Sequence, residues 1–347
     1  MLSILNKSNH KSNMSNSLVK LDAKDKRILY ELELDCRLGG PELAKRVGIS
    51  KQVLSYRISR LMKEGVILSF LAAVNVSRMG YANHEVWMQL PKMPESKRKE
   101  LEDYLCAHAS VRLVAGCGGK YDLLIGILAK SVNEFNRILK HILAKFPGCV
   151  NDYAILVSTE FYTYPKTYLI NNQARKKEVP MIGSFETVQT DSTDQKILAA
   201  LSSNARAGTI ELANRLNLAP NTVRSRIKGM ERSGIIEGYK ILIDHQKTGY
   251  ENYEILASMR HMHPKKEEEL EEFCRSNPYS TFLLKCVGKW DVDIGFDCED
   301  NAHFQKILVE FRDRFGDIIQ DYEVVPVMGW RKFTYYPFHG PAYVGKA

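Results

Sequence analysis

Apolar residues recur at helical spacing in three successive stretches near the start of the chain. The pattern predicts a helix over residues 23–34, a short helix over 41–47 that Pro41 opens, and a longer helix over 51–63. Ser50 directly precedes the third helix and suits the N-cap position. A short helix, a tight turn and a longer helix form the layout of a helix-turn-helix unit.

Strands and helices alternate after these three helices. Residues 66–74 are predicted to form a wing strand, and the following pattern is strand, helix, strand, strand, helix, strand, which is the ferredoxin-like order. Two helices cover one face of such a sheet, so its other apolar face needs a partner. The predicted elements are 85–90, 95–108, 111–117, 121–128, 132–146 and 150–157.

The second half of the chain repeats the first at a constant offset. Asp25 corresponds to Asp194 and Asp122 to Asp291, and both pairs are 169 residues apart. The second copy predicts helices at 192–203, 209–216 and 220–233 and a wing strand at 235–243. The predicted fold class is therefore α+β, with two tandem copies of a winged helix-turn-helix domain followed by a ferredoxin-like (βαββαβ) domain.

Polar, low-complexity stretches mark the predicted boundaries. Residues 1–20 are rich in Ser, Asn and Lys and are expected to form a disordered basic tail. Residues 171–189 contain Pro180 and Gly183 and are expected to form a linker. The predicted winged helix-turn-helix domains span 21–81 and 190–250, the ferredoxin-like domains span 82–170 and 251–339, and a short tail spans 340–347.

The composition excludes several classes of protein. No run of about 18 uncharged apolar residues is present, so we expect no membrane span. The N-terminal stretch has no apolar core of signal-peptide length. The seven cysteines show no C-x-x-C spacing, which argues against a disulfide framework and a zinc knuckle and favours a cytoplasmic protein. No metal or other cofactor is expected.

The net charge of +8 is unevenly distributed. Residues 21–81 carry 11 Lys and Arg against 7 Asp and Glu, and residues 190–250 carry 9 against 6. Residues 251–339 carry 11 against 17 and are acidic. Positive charge thus concentrates in the two helix-turn-helix blocks, as expected for contact with nucleic acid, with random surface charge as the alternative.

The outer faces of the two third helices are the candidate DNA-contacting surfaces. Leu54, Ile58 and Leu61 lie on one side of the first of them and should face the core. The opposite side carries amide, hydroxyl and cationic groups, which donate to phosphates and base edges; an ordinary solvated face is the alternative. The predicted DNA-binding residues are Lys51, Gln52, Ser55, Tyr56, Ser59, Arg60 and Lys63 in the first copy and Asn221, Arg224, Ser225, Lys228 and Arg232 in the second.

In this order and spacing, the motifs resemble those of the Lrp/AsnC family of transcription regulators. The resemblance covers both copies and rests on Leu21-Asp22-x-x-Asp25-x-x-Ile28-Leu29, Glu42-Leu43-Ala44, Arg57-Ile58-x-x-Leu61-x-x-x-Gly65-Val66-Ile67 and Gly119-Lys-Tyr-Asp122.

The resemblance implies a function as well as a fold. It implies sequence-specific binding of double-stranded DNA, a C-terminal effector domain, and dimers whose sheets pack back to back. The effector of such a regulator is a small molecule such as an amino acid, bound where effector domains meet. Carried onto this chain, the predicted ligand-binding residues lie in the hairpin of each copy: Gly119, Tyr121, Asp122, Gly288, Trp290 and Asp291. A purely structural turn is the alternative for this hairpin.

The tandem copies depart from the family pattern of one copy per chain. We therefore predict an intramolecular pseudodimer, with further homo-oligomers also possible. Asp25 with Arg57, and Asp194 with Arg226, are predicted to form ion pairs within their domains rather than to read bases. Cys117 and Cys286 recur in both copies and are predicted to be small buried strand residues.

Two alternatives to a DNA-binding regulator are also compatible with the sequence. The first is an enzyme similar to the siroheme decarboxylases, which form a related branch. The resemblance implies that members of this branch lack the Gly-x-[Tyr/Trp]-Asp hairpin. This chain keeps that hairpin twice, so we expect no enzymatic activity. The second is a sensing or scaffold protein without DNA binding, against which the basic third helices argue.

Overall fold

The computed structural model of the chain describes residues 18–171, 179–183 and 186–338 and the backbone of 343–344. Most of the tails predicted at 1–20 and 340–347, and residues 172–178 and 184–185 of the predicted linker, lie outside the described residues. Within the described ranges, no helix is both long and apolar enough to cross a membrane.

Each repeat begins with three helices, as predicted. In the first repeat they are α1 (Ala23–Leu34), α2 (Gly40–Val47) and α3 (Lys51–Lys63). In the second they are α6 (Ser192–Ser203), α7 (Thr209–Leu216) and α8 (Pro220–Arg232). Both first helices start with an Asp-capped turn, in which the cap carboxylate accepts a backbone N–H and Asp25 or Asp194 bonds back to the cap N–H.

The two strands predicted as wings pair with each other. Strand β1 (Ile67–Val74) runs antiparallel to β7 (Ile236–Ile243) in a separate two-stranded ribbon, with Phe70 opposite Ile241 and Ala72 opposite Tyr239. Both predicted wing strands are thus present, and their pairing with each other was not predicted from the sequence. Each strand leaves its helix-turn-helix unit with an unpaired edge, and the edge of the sister strand satisfies it.

The remaining elements form two ferredoxin-like units. The first contains β2 (Ala82–Gln89), α4 (Glu95–Ala107), β3 (Val111–Cys117), β4 (Leu123–Ala129), α5 (Val132–Lys145) and β5 (Asp152–Thr163). After β6 (Val179–Ile182), the second contains α9 (His245–Thr248), β8 (Glu251–Met259), α10 (Pro264–Ser276), β9 (Ser280–Gly288), β10 (Val292–Cys298), α11 (Asn301–Phe315) and β11 (Ile319–Phe333), followed by β12 (Tyr343–Val344). The α+β fold class predicted from the sequence is confirmed.

The last strand of each unit crosses into the sheet of the other unit. The first half of β5 pairs with β2 of its own repeat, and its second half pairs with β9, from Leu156 opposite Gly288 to Thr163 opposite Phe282. Likewise, β11 pairs first with β8 and then with β3, where Phe333 lies opposite Leu113. Both strands are therefore longer than their own repeat requires, and together they close the two four-stranded sheets on each other.

The space between the two sheets is a single apolar core built by both repeats. Trp87 and Leu156 contribute from the first repeat, and Leu256, Trp290 and Val325 from the second. The outer faces of the sheets pack separately against α4 and α5 and against α10 and α11. The apolar faces predicted to need a partner thus cover each other, and one chain forms a pseudodimer.

The segment predicted as a linker contains an ordered strand. Strand β6 pairs with the second half of β5, with Phe161 opposite Ile182, and the side chains of Met181 and Ile182 are buried. Pro180 is tolerated there because β6 lies off the main path of the sheet, where a missing N–H leaves no central ladder position unpaired.

The shared core predicts that both repeats unfold together. Trp290→Ala removes a fully buried indole from this core, so we expect the free energy of unfolding to fall by about 3–5 kcal/mol in one cooperative transition. Urea unfolding followed by circular dichroism and by fluorescence measures both quantities. Val132→Ala, at a position that is 71% exposed, is the control and should change stability by less than about 0.5 kcal/mol. Two separate transitions, of which only one shifts, would contradict a shared core.

Candidate nucleic-acid interface

A left-handed residue makes the tight turn in each helix-turn-helix. Gly48 ends α2 with a φ of 71° and donates its N–H to the Ala44 carbonyl. Asn217 has the same role after α7, with a φ of 53°. Glycine and asparagine adopt this backbone conformation most readily, so both turns bring the following helix back across the preceding one.

The predicted outer faces of α3 and α8 are exposed. Leu54, Ile58 and Leu61 of α3 are buried, as are Val223 and Ile227 of α8. The residues on the opposite faces are exposed, namely Lys51, Gln52, Ser55, Tyr56, Ser59 and Lys63 on α3 and Asn221, Arg224, Ser225, Lys228 and Arg232 on α8. Each helix therefore presents a polar surface with several cations, two lysines on α3 and two arginines and a lysine on α8.

Arg60 differs from the other predicted contact residues because it is already paired. Its guanidinium lies 2.6 Å from a carboxylate oxygen of Asp25 and 3.7 Å from Glu64. Asp25 is only 1% exposed, so its charge needs a cation nearby. Arg60 thus links α3 to α1, and its charge is only partly available to an external phosphate.

The predicted ion pairs within the domains are confirmed. Arg57 lies 2.8 Å from Asp25, and Arg226 lies 3.3 Å from Asp194. These pairs connect α3 and α8 to the first turn of the first helix in the same repeat. The second pair is looser and more solvent-exposed, and Gly229 occupies the position that corresponds to Arg60.

One carboxylate lies near the outer face of α8. Glu231, in the last turn, is exposed, and it accepts a hydrogen bond of 2.7 Å from the Tyr239 hydroxyl on β7. Burial and this hydrogen bond raise the pKa of Tyr239. The contact turns Glu231 towards the ribbon at the end of the helix.

The hairpin aspartates accept backbone hydrogen bonds. Oδ2 of Asp122 lies 2.8 Å from the N–H of Leu90, and Oδ2 of Asp291 lies 2.6 Å from the N–H of Met259. Each carboxylate thus satisfies the backbone at the end of the neighbouring strand. Asp122 is half-buried and Asp291 is exposed.

The aromatic residues of the two hairpins point into the shared core. Tyr121 and Trp290 are each 1% exposed. The Lys289 ammonium covers both rings, at 5.9 Å from the Tyr121 centroid and 5.2 Å from that of Trp290. The two hairpins therefore meet each other through these side chains.

The hairpin glycines permit close approach between the repeats. Gly119 has a φ of 77°, in the left-handed region, and the neighbouring Gly118 donates its N–H to the Pro326 carbonyl of β11 at 2.9 Å. A Cβ at Gly288 would clash with the Ile155 carbonyl of β5. Each hairpin thus lies against the crossing strand of the other repeat.

The cysteines and one acidic cluster show no features of a metal site. Cys117 and Cys286 are buried in the shared core, as predicted, and burial raises the pKa of the Cys117 thiol well above its usual range. The carboxylates of Glu160, Glu267 and Glu271 converge, but the Lys285 ammonium lies 3.0, 2.5 and 2.7 Å from them and occupies the position that a cation would take.

The two aspartate clusters predict unequal stability contributions. Asp25→Asn removes the buried anion that Arg57 and Arg60 share, leaving them only the more exposed Asp22 and Glu64, and should lower the free energy of unfolding by about 2–3 kcal/mol. Asp194→Asn loses one half-exposed partner and should cost about 1 kcal/mol. Urea unfolding of both variants measures the difference. The control is the Arg60→Ala chain, in which Asp25→Asn should lower the free energy of unfolding by nearly as little as Asp194→Asn does. Equal losses of stability from Asp25→Asn and Asp194→Asn in the unmodified chain would refute this account.

Comparison with known proteins agrees with this geometry. The family model described as winged helix-turn-helix DNA-binding matches residues 21–67 and 190–237. The proline dehydrogenase transcriptional activator of Rhizobium radiobacter is 30% identical over 140 residues, which cover 40% of this chain and 88% of that protein. The regulatory protein AsnC of Haemophilus influenzae is 44% identical over 61 residues, covering 18% of this chain and 41% of AsnC.

A solved structure matches almost the whole chain. The siroheme decarboxylase NirDL aligns with a TM-score of 0.58 and 12% identity over 92% of this chain and 94% of that one, which shows a shared fold. The R. radiobacter regulator, by contrast, is matched over most of its own length by less than half of this chain. The chain therefore belongs to the Lrp/AsnC family of helix-turn-helix transcription regulators and contains the family's two-domain unit twice.

Proposed function

We propose that this chain binds double-stranded DNA as a transcription regulator, with α3 and α8 as the two recognition helices of one pseudodimer. The observation that carries the proposal is the pair of exposed, cationic helix faces joined through one ribbon and one closed sheet. The cations supply phosphate contacts, and the amide and hydroxyl groups supply contacts to base edges in the major groove.

The two recognition helices should read different half-sites. Ser55 corresponds to Arg224 and Tyr56 to Ser225, so the two helices offer different donors at equivalent positions. An arginine favours the paired acceptors of guanine, whereas serine is less selective. We therefore expect an operator whose two halves differ in sequence, with centres one helical turn, or a small multiple of it, apart.

We also infer a response to a small-molecule effector, such as an amino acid, around the hairpins at 119–122 and 288–291. Asp122 and Asp291 each accept one backbone N–H. A carboxylate has capacity for several hydrogen bonds, so an ammonium group could still bind there. Because the hairpins lie against β11 and β5, a ligand at this place would act on the contact between the repeats.

A second candidate function is the siroheme chemistry of NirDL, which the nearly full-length fold similarity suggests. The identity of 12% is too low to carry the activity over. The cavity that residues of both repeats line has a volume of about 130 Å³, which is close to the size of a cavity that holds benzene. An iron-porphyrin is much larger, so we expect no change in the absorbance of iron-uroporphyrin III when this protein is added.

DNA binding is tested on the second recognition helix. Replacing Arg224 and Lys228 together by Ala should weaken DNA binding and lower the salt dependence by about two units of log–log slope, because two phosphate contacts are lost. Fluorescence anisotropy at four salt concentrations, with DNA selected by the protein from a random pool, gives both values.

The control removes the same two residue types from a distant helix. Arg137 and Lys140 are exposed on α5, and replacing both by Ala lowers the net charge equally. This control should keep the slope of the unmodified protein. Equal slopes for all three proteins would refute contact through α8.

The effector hypothesis is tested with Asn at both hairpin aspartates. Asp122→Asn with Asp291→Asn should abolish the change in DNA affinity caused by an amino acid, because a neutral amide binds an ammonium group weakly. DNA affinity without effector should stay within about twofold, which anisotropy with a panel of amino acids measures. Loss of the cooperative unfolding transition in the double variant would assign the hairpin a structural role instead.

A further inference from the structure

A cavity lined by charged, polar and aromatic side chains lies where the DNA-binding units meet the closed sheet. Its volume is about 130 Å³. Strands β1 and β7 of the ribbon form one side through Leu71, Lys240 and Ile241, and the inner faces of the two sheets form the other. The cavity is thus distinct from the hairpins and from the outer faces of α3 and α8.

Three ion pairs around the cavity are complete. The Lys166 ammonium lies 2.6 Å from Asp297, the Arg112 guanidinium 3.4 Å from Glu85, and the Lys240 ammonium 3.6 Å from Glu33. Although burial opposes ionisation, the charge of Lys166 lowers the pKa of Asp297 to about 2. These three acids are therefore matched by three cations within the cavity wall.

Two further carboxylates have no cation of their own among the cavity-lining residues. Glu254 and Asp293 are each 1% exposed and lie on the neighbouring strands β8 and β10. Burial and the charge of Glu85 raise the pKa of Glu254 to about 8. Burial, the charges of Glu254 and Glu85 and a hydrogen bond with Glu254 raise the pKa of Asp293 well above its usual range, so the two carboxyl groups share a proton when no cation is bound.

Most of the cavity-lining polar atoms that have no hydrogen-bond partner are carboxyl or amide oxygens. Within the described part of the chain, seven buried cavity-lining atoms have no hydrogen-bond partner, and five of these seven are carboxyl or amide oxygens, which accept from a cation once the carboxyl groups are ionised. A buried acceptor without a donor is costly, so such a set favours a group that only donates. The five are Glu33 Oε2, Glu85 Oε2, Asn252 Oδ1, Glu254 Oε2 and Asp293 Oδ1, and the other two are Thr163 Oγ1 and His245 Nε2.

The missing cation follows from the difference between the two repeats. Glu85 and Glu254 occupy equivalent positions, 169 residues apart. The first repeat neutralises Glu85 with Arg112, but the position equivalent to Arg112 is Thr281, which also lines the cavity. The second repeat therefore has the equivalent acid, Glu254, but lacks the cation that pairs with it in the first repeat.

We propose that this cavity binds a small organic cation, a compact primary amine whose ammonium group takes the place of the absent arginine beside Glu254 and Asp293. The aromatic side chains of Phe161, Phe282, Trp330 and Phe333 line the same cavity and suit the apolar body of such a ligand. An ammonium has three donors and no acceptor, which matches the unpartnered atoms.

The experiment compares three probes of nearly the same shape and different charge. Benzylamine is a cation, benzyl alcohol is neutral and benzoate is an anion. Isothermal titration calorimetry on the full chain, in phosphate buffer at pH 7.5 without DNA, should detect binding of benzylamine alone. Tris is excluded as a buffer because it is itself a primary amine. NaCl and MgCl₂ at matched ionic strength test for an inorganic cation.

Two variants test the binding residues. Glu254→Gln keeps the shape but cannot ionise beside the ammonium group, and it should weaken benzylamine binding at least about tenfold. Thr281→Arg restores the residue of the first repeat and should exclude benzylamine by supplying the cation internally. Glu102→Gln is the control, since Glu102 is a buried carboxylate on α4 that pairs with Arg98 and Arg331 away from this cavity; its benzylamine affinity should stay within about twofold.

Thermal unfolding separates lost binding from lost folding. In the folded chain Glu254 keeps its proton up to a pH of about 8, whereas an ordinary Glu loses it near 4.5, so stability falls as pH rises between these values. Glu254→Gln cannot lose a proton, so its melting temperature should exceed that of the unmodified chain at pH 8.5. The unmodified chain and the Glu254→Gln variant share all other titratable groups that line the cavity. These groups are Glu33, Glu85, Arg112, Tyr164, Lys166, Lys240, His245, Asp293, Asp297 and Tyr335.

Several results would overturn the proposal. Equal heats for benzylamine, benzyl alcohol and benzoate would mean that charge is not recognised. Stabilisation by Na⁺ or Mg²⁺ alone would assign the cavity to a metal ion. Undiminished benzylamine binding by folded Glu254→Gln or Thr281→Arg would place the amine elsewhere. Because the measurement uses no DNA, it succeeds or fails independently of the proposed regulatory function.

Discussion

The structure depends on the exchange of two long strands between the repeats. Strands β5 and β11 each begin in their own sheet and end in the sister sheet. This exchange satisfies the edges of both sheets and encloses one apolar core, so neither repeat buries its inner face alone. The ribbon of β1 and β7 and the docking of each hairpin on the opposite crossing strand both build on this pairing.

Joining both copies in one chain removes the requirement that they be identical. In a symmetric dimer both subunits carry the same residue at every position, so a change alters both sides at once. Here Arg112 and Thr281, Arg60 and Gly229, and Leu71 and Lys240 are equivalent positions with different chemistry. The first pair makes the central cavity unequal in charge, and the second makes the two recognition helices unequal in their attachment to α1 and α6.

The hairpin motif shows how one set of residues can serve a structural purpose while still suggesting a binding site. A glycine, an aromatic residue and an aspartate recur in both repeats, as a ligand site would require. In the folded chain the aromatic rings fill the shared core, and the aspartates accept strand-end amides. The glycines let each hairpin approach the crossing strand of the other repeat. An effector at this place would therefore act directly on the contact that holds the pseudodimer together.

The sequence by itself determined the duplication, the helices and the exposed faces of α3 and α8, because these depend on local periodicity, capping and a constant offset. The pairs Asp25–Arg57 and Asp194–Arg226 were also predictable, since they recur in both copies. Only the tertiary structure decided that β1 and β7 pair together and that β5 and β11 extend to Thr163 and Phe333, because strand partners far apart in sequence leave no local pattern. The cavity was the feature least predictable from the sequence. The chemical role of Glu254, Asp293 and Thr281 depends on their burial and on the position of Arg112.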